Sequence, residues 1–416
     1  MTVRTVLLAS PYFPPDLGGV ESYVANLARL LASRHGLRVV VAATAGPDRG
    51  GPGLHRGPDG IRVHRLAAPF TVSRTPLGAH WVRDLRRVVA QEGVDLVDAH
   101  APVPLFADAA ARACGRLPFV LTYHTGRIRK GRPLADALCA AYERTLLART
   151  AHRAEAVVCS SDHVAADLPR LFAGRATTIS PGVDLARFTE RPLPGHPRIL
   201  FAGSLARTAG YKGLPDLLRA VARLVPAVPD VTLDVAGSGS GAAGHRALAD
   251  GLGIGRRVTF LGQLDAPGLA AAYQRARVLA LPTYDDSFPT VLVEAMACGR
   301  PVVTTPVGGI PSLVADGGNG LLVRPGDGDA LAAALRSVLV DDALARRLGS
   351  AGRARVAREL SWERQSDRTA EVFGRAARTA ARRTADGRRS QSRSAPMARR
   401  SAPRAGLGLP SERRSP

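Results

Sequence analysis

Short apolar runs recur along most of the chain, at 3–9, 37–43, 61–66, 95–100, 119–124 and 156–160, then at 198–202, 231–236, 258–261, 278–281, 301–304 and 320–323. Continuous short runs closed by turn residues are the pattern of strands buried on both faces. Between most of them the apolar spacing changes to three and four. Val20, Tyr23, Val24, Leu27, Leu30 and Leu31 share one helix face, and Val291, Leu292, Ala295 and Met296 share another in a helix that starts near Pro289. Strand alternating with helix predicts a parallel, doubly wound sheet, which binds ligands beyond the carboxyl ends of its strands. The proline-rich stretch 191–197 interrupts this alternation and reads as a linker. The expected fold class is α/β, with two doubly wound, Rossmann-like domains over residues 1–190 and 198–360.

Composition fits that division. A chain of 416 residues exceeds what one core usually organises, and 45% hydrophobic residues allow each half its own. No run of 18 apolar residues and no signal-peptide pattern occurs, so the expected location is cytoplasmic. Cys114, Cys139, Cys159 and Cys298 are scattered without a C-x-x-C pair. They predict neither a disulfide framework nor a metal site, and read as small buried residues.

Charge changes the picture more. Lys and Arg number 57 against 35 Asp and Glu, a formal +22. From Arg375 onward twelve Arg stand against Asp386 and Glu412, so 12 − 2 = +10 lies at the C-terminus. That stretch is rich in Arg, Ser, Ala and Pro, and residues 379–416 are expected to be a disordered basic tail. No aromatic residue interleaves with its arginines, which argues against base stacking and a specific nucleic-acid partner. Lys130 and Lys212 are the only lysines, which makes each a candidate for chemistry. Lys130 lies in a basic loop, 126–132, ahead of an amphipathic stretch with Leu134 and Leu138, a combination suited to peripheral contact with an anionic membrane.

The candidate chemistry concentrates at Asp286-Ser287-Phe288-Pro289-Thr290-Val291-Leu292-Val293-Glu294. A helix that opens at Pro289 and Thr290 offers unpaired N–H groups and about half a positive charge to a diphosphate. Glu294, one turn deeper on the Thr290 face, can accept hydrogen bonds from a diol such as ribose. Asp286 can reach the other end of the same ligand. Arg207 and Lys212 lie in a loop between a strand and a helix, as cations for a diphosphate would. Gly18 and Gly19 precede a helix and allow close approach of a phosphate or sugar. Gly237 and Gly239 open a second glycine turn; read alone, Gly239-x-Gly241-x-x-Gly244 imitates a dinucleotide fingerprint. His100 and His124 both fall at strand ends, of which His100 reads as structural.

The 286–294 stretch resembles the E-x7-E signature of retaining glycosyltransferases of family 4, with Asp286 in place of the first Glu. Ser180-Pro181-Gly182-Val183-Asp184 resembles the P-x-G-V-D turn of the same family, and 305–311 its glycine loop; Ser204 stands where many members have Arg. The resemblance covers about residues 3–375. It implies a GT-B fold, two such domains facing across a cleft, with residues 361–378 as a helix returning to the first domain. It also implies transfer of a sugar from a nucleotide sugar, such as a UDP- or GDP-sugar, to a lipid, saccharide or small-molecule acceptor. The donor would be held by Gly18, Gly19, Arg207, Lys212, Gly237, Gly239, Phe288, Pro289, Thr290 and Glu294. His124 and Asp286 would stand at the reacting sugar, with no metal, no cofactor and no protein nucleophile. A nucleotide-sugar epimerase of the same architecture is the alternative reading. An NAD(P)-dependent oxidoreductase is a weaker one, because it leaves Lys212 and both acids idle.

Overall fold

A computed structural model of the chain describes residues 3–393 apart from 17, 47–48, 73–74, 129–132 and 173. The apolar runs build two sheets. The first contains β1 (Thr5–Ala9), β2 (Arg38–Thr44), β3 (Gly53–Arg56) and β4 (Arg62–Leu66). After a separate hairpin, β5 (Phe70–Val72) and β6 (Thr75–Leu77), it continues with β7 (Leu96–Ala101), β8 (Phe119–Tyr123), β9 (Ala156–Cys159) and β10 (Ala176–Thr178). Its order is β10-β9-β8-β7-β1-β2-β4-β3, with only the edge strand β3 antiparallel to its neighbour. The second sheet has β11 (Arg198–Ala202), β12 (Thr232–Ala236), β13 (Val258–Gly262), β14 (Val278–Leu281), β15 (Val302–Thr304) and β16 (Leu321–Leu322). These run parallel in the order β13-β12-β11-β14-β15-β16.

The buried runs follow from the layering. Along β1 the period of two sends Leu7 and Ala9 into one core and Val6 and Leu8 into another, on opposite faces of the first sheet. Helices cover both faces, so every β1 residue is buried. In both sheets the strand order reverses direction at the centre, beside β1 and beside β11, and at such points the loops separate to leave a crevice.

Two chain crossings join the lobes, and they pair with each other. Val183 N–H donates to the Leu360 carbonyl at 2.8 Å, and Trp362 N–H to the Val183 carbonyl at 3.2 Å. Three arginines then fasten the linker to the second lobe. Arg353 donates to the Phe188 carbonyl at 3.1 Å, Arg300 to that of Pro192 at 3.3 Å, and Arg277 to that of Pro194 at 3.2 Å. Arg300 is 1% exposed, and burial lowers the pKa of its guanidinium. Its donors instead satisfy backbone carbonyls, the condition on which a buried polar group is tolerated.

The last helix, Trp362–Arg393, returns to the first lobe and packs Trp362, Val372, Phe373 and Ala376 against the helix Gly19–Ser33 and its sheet. It also corrects the expected start of the tail, since residues 379–393 are helical. Ala376, Ala377 and Ala380 extend the buried stripe of Val372 and Phe373, and Arg383 pairs with Glu155 at 2.5 Å. Alanines carry that stripe, so no bulky apolar period marks it in the sequence. Residues 394–416 lie outside the described residues. Among the described residues no helix is long and apolar enough to cross a membrane.

Candidate active site

The carboxyl ends of the two sheets face one cavity of about 560 Å3, lined from both lobes. Its size falls in the range of small-molecule sites. From the first lobe, the helix Gly19–Ser33 opens onto it with Gly19, Val20 and Glu21, while Gly18 forms the cap. From the second lobe, the helix Thr290–Ala297 opens onto it with Thr290, capped by Pro289 and preceded on the wall by Phe288. Two helix N-termini therefore bring their positive dipole ends to one space, an arrangement that attracts anions; at the first of them the Glu21 carboxylate folds back over Gly18.

Lys212 reaches the same place from the loop after β11. Its Nζ donates to Asp286 Oδ2 at 2.5 Å, and Asp286 is on the cavity wall. Asp286 Oδ1 accepts from Phe288 N–H at 3.2 Å, which braces the turn into the helix. The acid and the lysine singled out separately in the sequence thus form one ion pair.

Gly308 and Gly309 set the position of that acid. Gly309 N–H donates to the Asp286 carbonyl at 2.9 Å. Gly308 has φ +55°, and a Cβ there would sit 2.0 Å from the Asp286 carbonyl oxygen. The expected result for Gly308→Ala is a displaced 285–288 turn. Strain in the left-handed region adds about 1–2 kcal/mol of destabilisation. Urea unfolding together with Kd for the donor checks this; wild-type values for both would refute it.

Glu294 lies one turn past Thr290 and is half-buried, its Oε2 accepting from Tyr273 Oη at 2.8 Å. Burial pushes its carboxyl up to about 7, against the opposing pull of the Tyr273 hydrogen bond and Arg187. Arg207 is exposed at the start of the turn Arg207–Lys212, and its backbone N–H donates to Ser240 Oγ at 3.2 Å. Gly237 and Gly239 have φ of +145° and +156°. A Cβ would lie 1.9 Å from the Gly203 carbonyl oxygen at the first and 2.1 Å from Ala206 N at the second. The close approach these glycines permit is of one loop backbone to another. The apparent dinucleotide fingerprint beginning at Gly239 thereby has a packing explanation.

His124 lines the cavity at the end of β8, and His100 lies beside it at the end of β7. His124 Nε2 is 2.9 Å from His100 Nδ1, and the rings stack at 11°. Tyr23 packs edge-on to both. Burial pushes His124 down to about 4 and His100 well below the usual histidine range, so both rings are neutral at pH 7. Sequence reasoning found His124, read its neighbour His100 as structural, and passed over Tyr23 and Asp98. The available signal was Asp98-x-His100, which places both side chains on one face of β7. Tyr273, a lone tyrosine in a helix, gave no such signal.

Comparison with known proteins assigns this arrangement. Residues 17–187 match the Glycosyltransferase Family 4 model and residues 186–355 the Glycosyl transferases group 1 model. The chain is 34% identical to the D-inositol 3-phosphate glycosyltransferase of Mycobacterium marinum, over 90% of this chain and 86% of that protein. It is 27% identical to the glycogen synthase of Mycobacterium tuberculosis, over 89% and 94%. Among solved structures, sucrose-phosphate synthase from Thermosynechococcus elongatus superposes with a TM-score of 0.73 at 27% identity, over 89% of this chain and 98% of that one. Anabaena HepE in complex with UDP and glucose, at 19% identity, shares the fold with a TM-score of 0.71 over 90% and 100%. The fold is that of the two-lobed GT-B glycosyltransferases. The chain belongs to glycosyltransferase family 4. Nothing in these likenesses supports the epimerase or the oxidoreductase reading.

Proposed function

We propose that the chain transfers a hexosyl-type sugar from a nucleoside-diphosphate sugar to a glycan, lipid or small-molecule acceptor, with retained anomeric configuration and without a metal. The observation that carries this reading is the meeting of two helix N-termini at one interlobe cavity, with the Lys212 ammonium paired to Asp286 on its wall. Those groups suit the charge of a diphosphate, both as bound and as it leaves, the role elsewhere taken by a divalent ion. UDP and glucose bound in HepE, and the activities named for the relatives, favour a nucleotide-sugar donor. The second lobe would hold the donor through Lys212, the Thr290 helix end and Glu294, with Arg207 closing from solvent. The first would present the acceptor beside His124. No carboxylate is assigned as nucleophile; the departing phosphate, on the donor's front face, takes the acceptor proton.

A thermal-shift panel of UDP-, GDP- and ADP-sugars in the presence of EDTA tests the donor class. Product NMR then reads the anomeric configuration. Stabilisation by one nucleotide family and a retained anomer are expected. No stabilisation by any donor, a requirement for added metal, or inversion would each overturn part of the proposal.

A lipid acceptor is favoured by one surface feature. Leu134 and Leu138, 76% and 65% exposed, lie one turn apart on the helix Pro133–Tyr142. The loop residues 129–132 lie outside the described residues, while Arg127 beside them is exposed. Flotation with anionic vesicles is expected to carry wild-type protein, and Leu134→Ser/Leu138→Ser protein much less. Equal flotation of both, or of neither, removes the membrane from the account.

A further inference from the structure

Behind His124 lies a chain of groups that the transfer reaction, as described, does not use. Asp98 Oδ1 accepts from Thr122 Oγ1 at 2.8 Å. Its other oxygen, Oδ2, is buried without a hydrogen bond among the described residues and faces His100 Nε2, equally buried and equally without one, at 3.6 Å. On the far side of the ring, His100 Nδ1 meets His124 Nε2 at 2.9 Å. His124 Nδ1 is then the ring nitrogen left for a ligand in the cavity. Two unsatisfied polar atoms held face to face in a protein core call for an explanation.

We propose that Asp98, His100 and His124 form a proton relay that sets which nitrogen of His124 carries hydrogen and moves a proton from the cavity to Asp98. The inference rests on reading the cavity as the transfer site. With Asp98 ionised, His100 turns its Nε2–H toward the carboxylate. Its bare Nδ1 accepts from His124 Nε2–H, and His124 presents a bare Nδ1 to the cavity. A proton taken up there advances the chain by one place. The hydrogen on His124 Nε2 passes to His100 Nδ1, and the hydrogen on His100 Nε2 passes to Asp98 Oδ2. Both rings end neutral, as they began; the carboxylate has become a carboxylic acid, and His124 is now a donor from Nδ1.

The surroundings favour this route over charging a ring. Burial disfavours both imidazolium ions and the carboxylate, and it pushes Asp98 up to about 7, offset partly by the Thr122 hydrogen bond. The proton therefore rests on the carboxyl near neutral pH. Other groups face the relay. Tyr23, from the helix Gly19–Ser33, is held protonated by burial, and Arg368 on the C-terminal helix acts on its hydroxyl. Glu21 lines the cavity from the first lobe, and Asp285 and Asp286, the latter paired with Lys212, from the second. In sugar transfer the departing phosphate takes the acceptor proton, and the relay gives that proton a place to go next.

Ring-nitrogen NMR on the 15N-histidine-labelled full chain tests this without any substrate, with His124 assigned by its loss in His124→Gln. Between pH 5.5 and 8.5 the hydrogen of His124 is expected to move from Nδ1 to Nε2, with a midpoint about neutral and no imidazolium signal. In Asp98→Asn, Thr122 retains the amide oxygen and the amide N–H donates to His100 Nε2. His124 should then keep hydrogen on Nδ1 at every pH, the tautomer reversal that the same change causes in a Ser-His-Asp triad. A single unchanging tautomer in the wild type, or conversion of His124 to imidazolium, would overturn the relay even if Asp98→Asn fails to fold. A chain without transfer activity that still shows the swap would instead refute the reading of the cavity.

Discussion

Lys212→Ala is expected to lower sugar transfer by about 10²–10³-fold, mostly in kcat, with the fold intact. Lys212 places a compact, partly buried ammonium where the loops after β11 and β14 meet, against Asp286, which shares the cavity wall with Thr290. A diphosphate gains negative charge as its bond to the sugar breaks, so a fixed cation there is worth more in the transition state than in the ground state. Alanine also leaves the Asp286 carboxylate uncompensated beside the phosphates, which turns an attraction into a repulsion. Lys212→Arg should recover only part of the rate, since a planar guanidinium does not reproduce the single 2.5 Å contact. Steady-state kcat and KM for the donor decide the matter; a change below about threefold in kcat/KM would mean the diphosphate lies elsewhere.

Glu294→Ala should act on binding instead. A hydrogen bond to a charged group contributes about 1.5–3 kcal/mol, so the donor Kd is expected to rise about 10–150-fold, with a smaller change in kcat at saturation. pH provides a second reading. The folded carboxyl is raised to about 7, so below that pH it is mostly protonated, and only the ionised form accepts both hydroxyls of a diol. Wild-type affinity for the donor should therefore increase from pH 6 to 8, and Glu294→Gln should remove that slope. The sign for folding is opposite. A raised carboxyl pKa contributes stability fully present below the unfolded value of about 4.3 and lost as pH rises through the folded value. Urea midpoints of wild type against Glu294→Gln across pH 4–8 should show that loss only in the wild type. Calorimetry that finds equal donor Kd for wild type and Glu294→Ala would remove Glu294 from the site.

The strands that make the two sheets were legible because parallel strands buried on both faces need nearly continuous apolar residues. The edge strand β3, the hairpin β5–β6 and the short β10 were not, since exposed or half-buried residues carry no such demand. The cation and the two acids of the second lobe were readable from residue type beside predicted helix ends. Their pairings were not. Whether Asp286 meets Lys212, or Glu294 meets Tyr273, depends on loop paths that sequence spacing does not constrain. His100 and His124 meet because of strand register, which sets His100 opposite Thr122. At Gly237 and Gly239 the glycine turn signals close approach, and neighbouring backbone is a group that approaches.

The three arginines that hold residues 188–194 make that segment mechanically part of the second lobe, although it precedes β11 in the chain. What remains to bend is the pair of crossings at Val183 and Ser361, tied edge to edge. An exchange of whole lobes between relatives should therefore cut at both crossings, ahead of Phe188 and at Ser361. Cutting at the proline-rich stretch would part Arg353 from the Phe188 segment and give a hybrid with a slack joint.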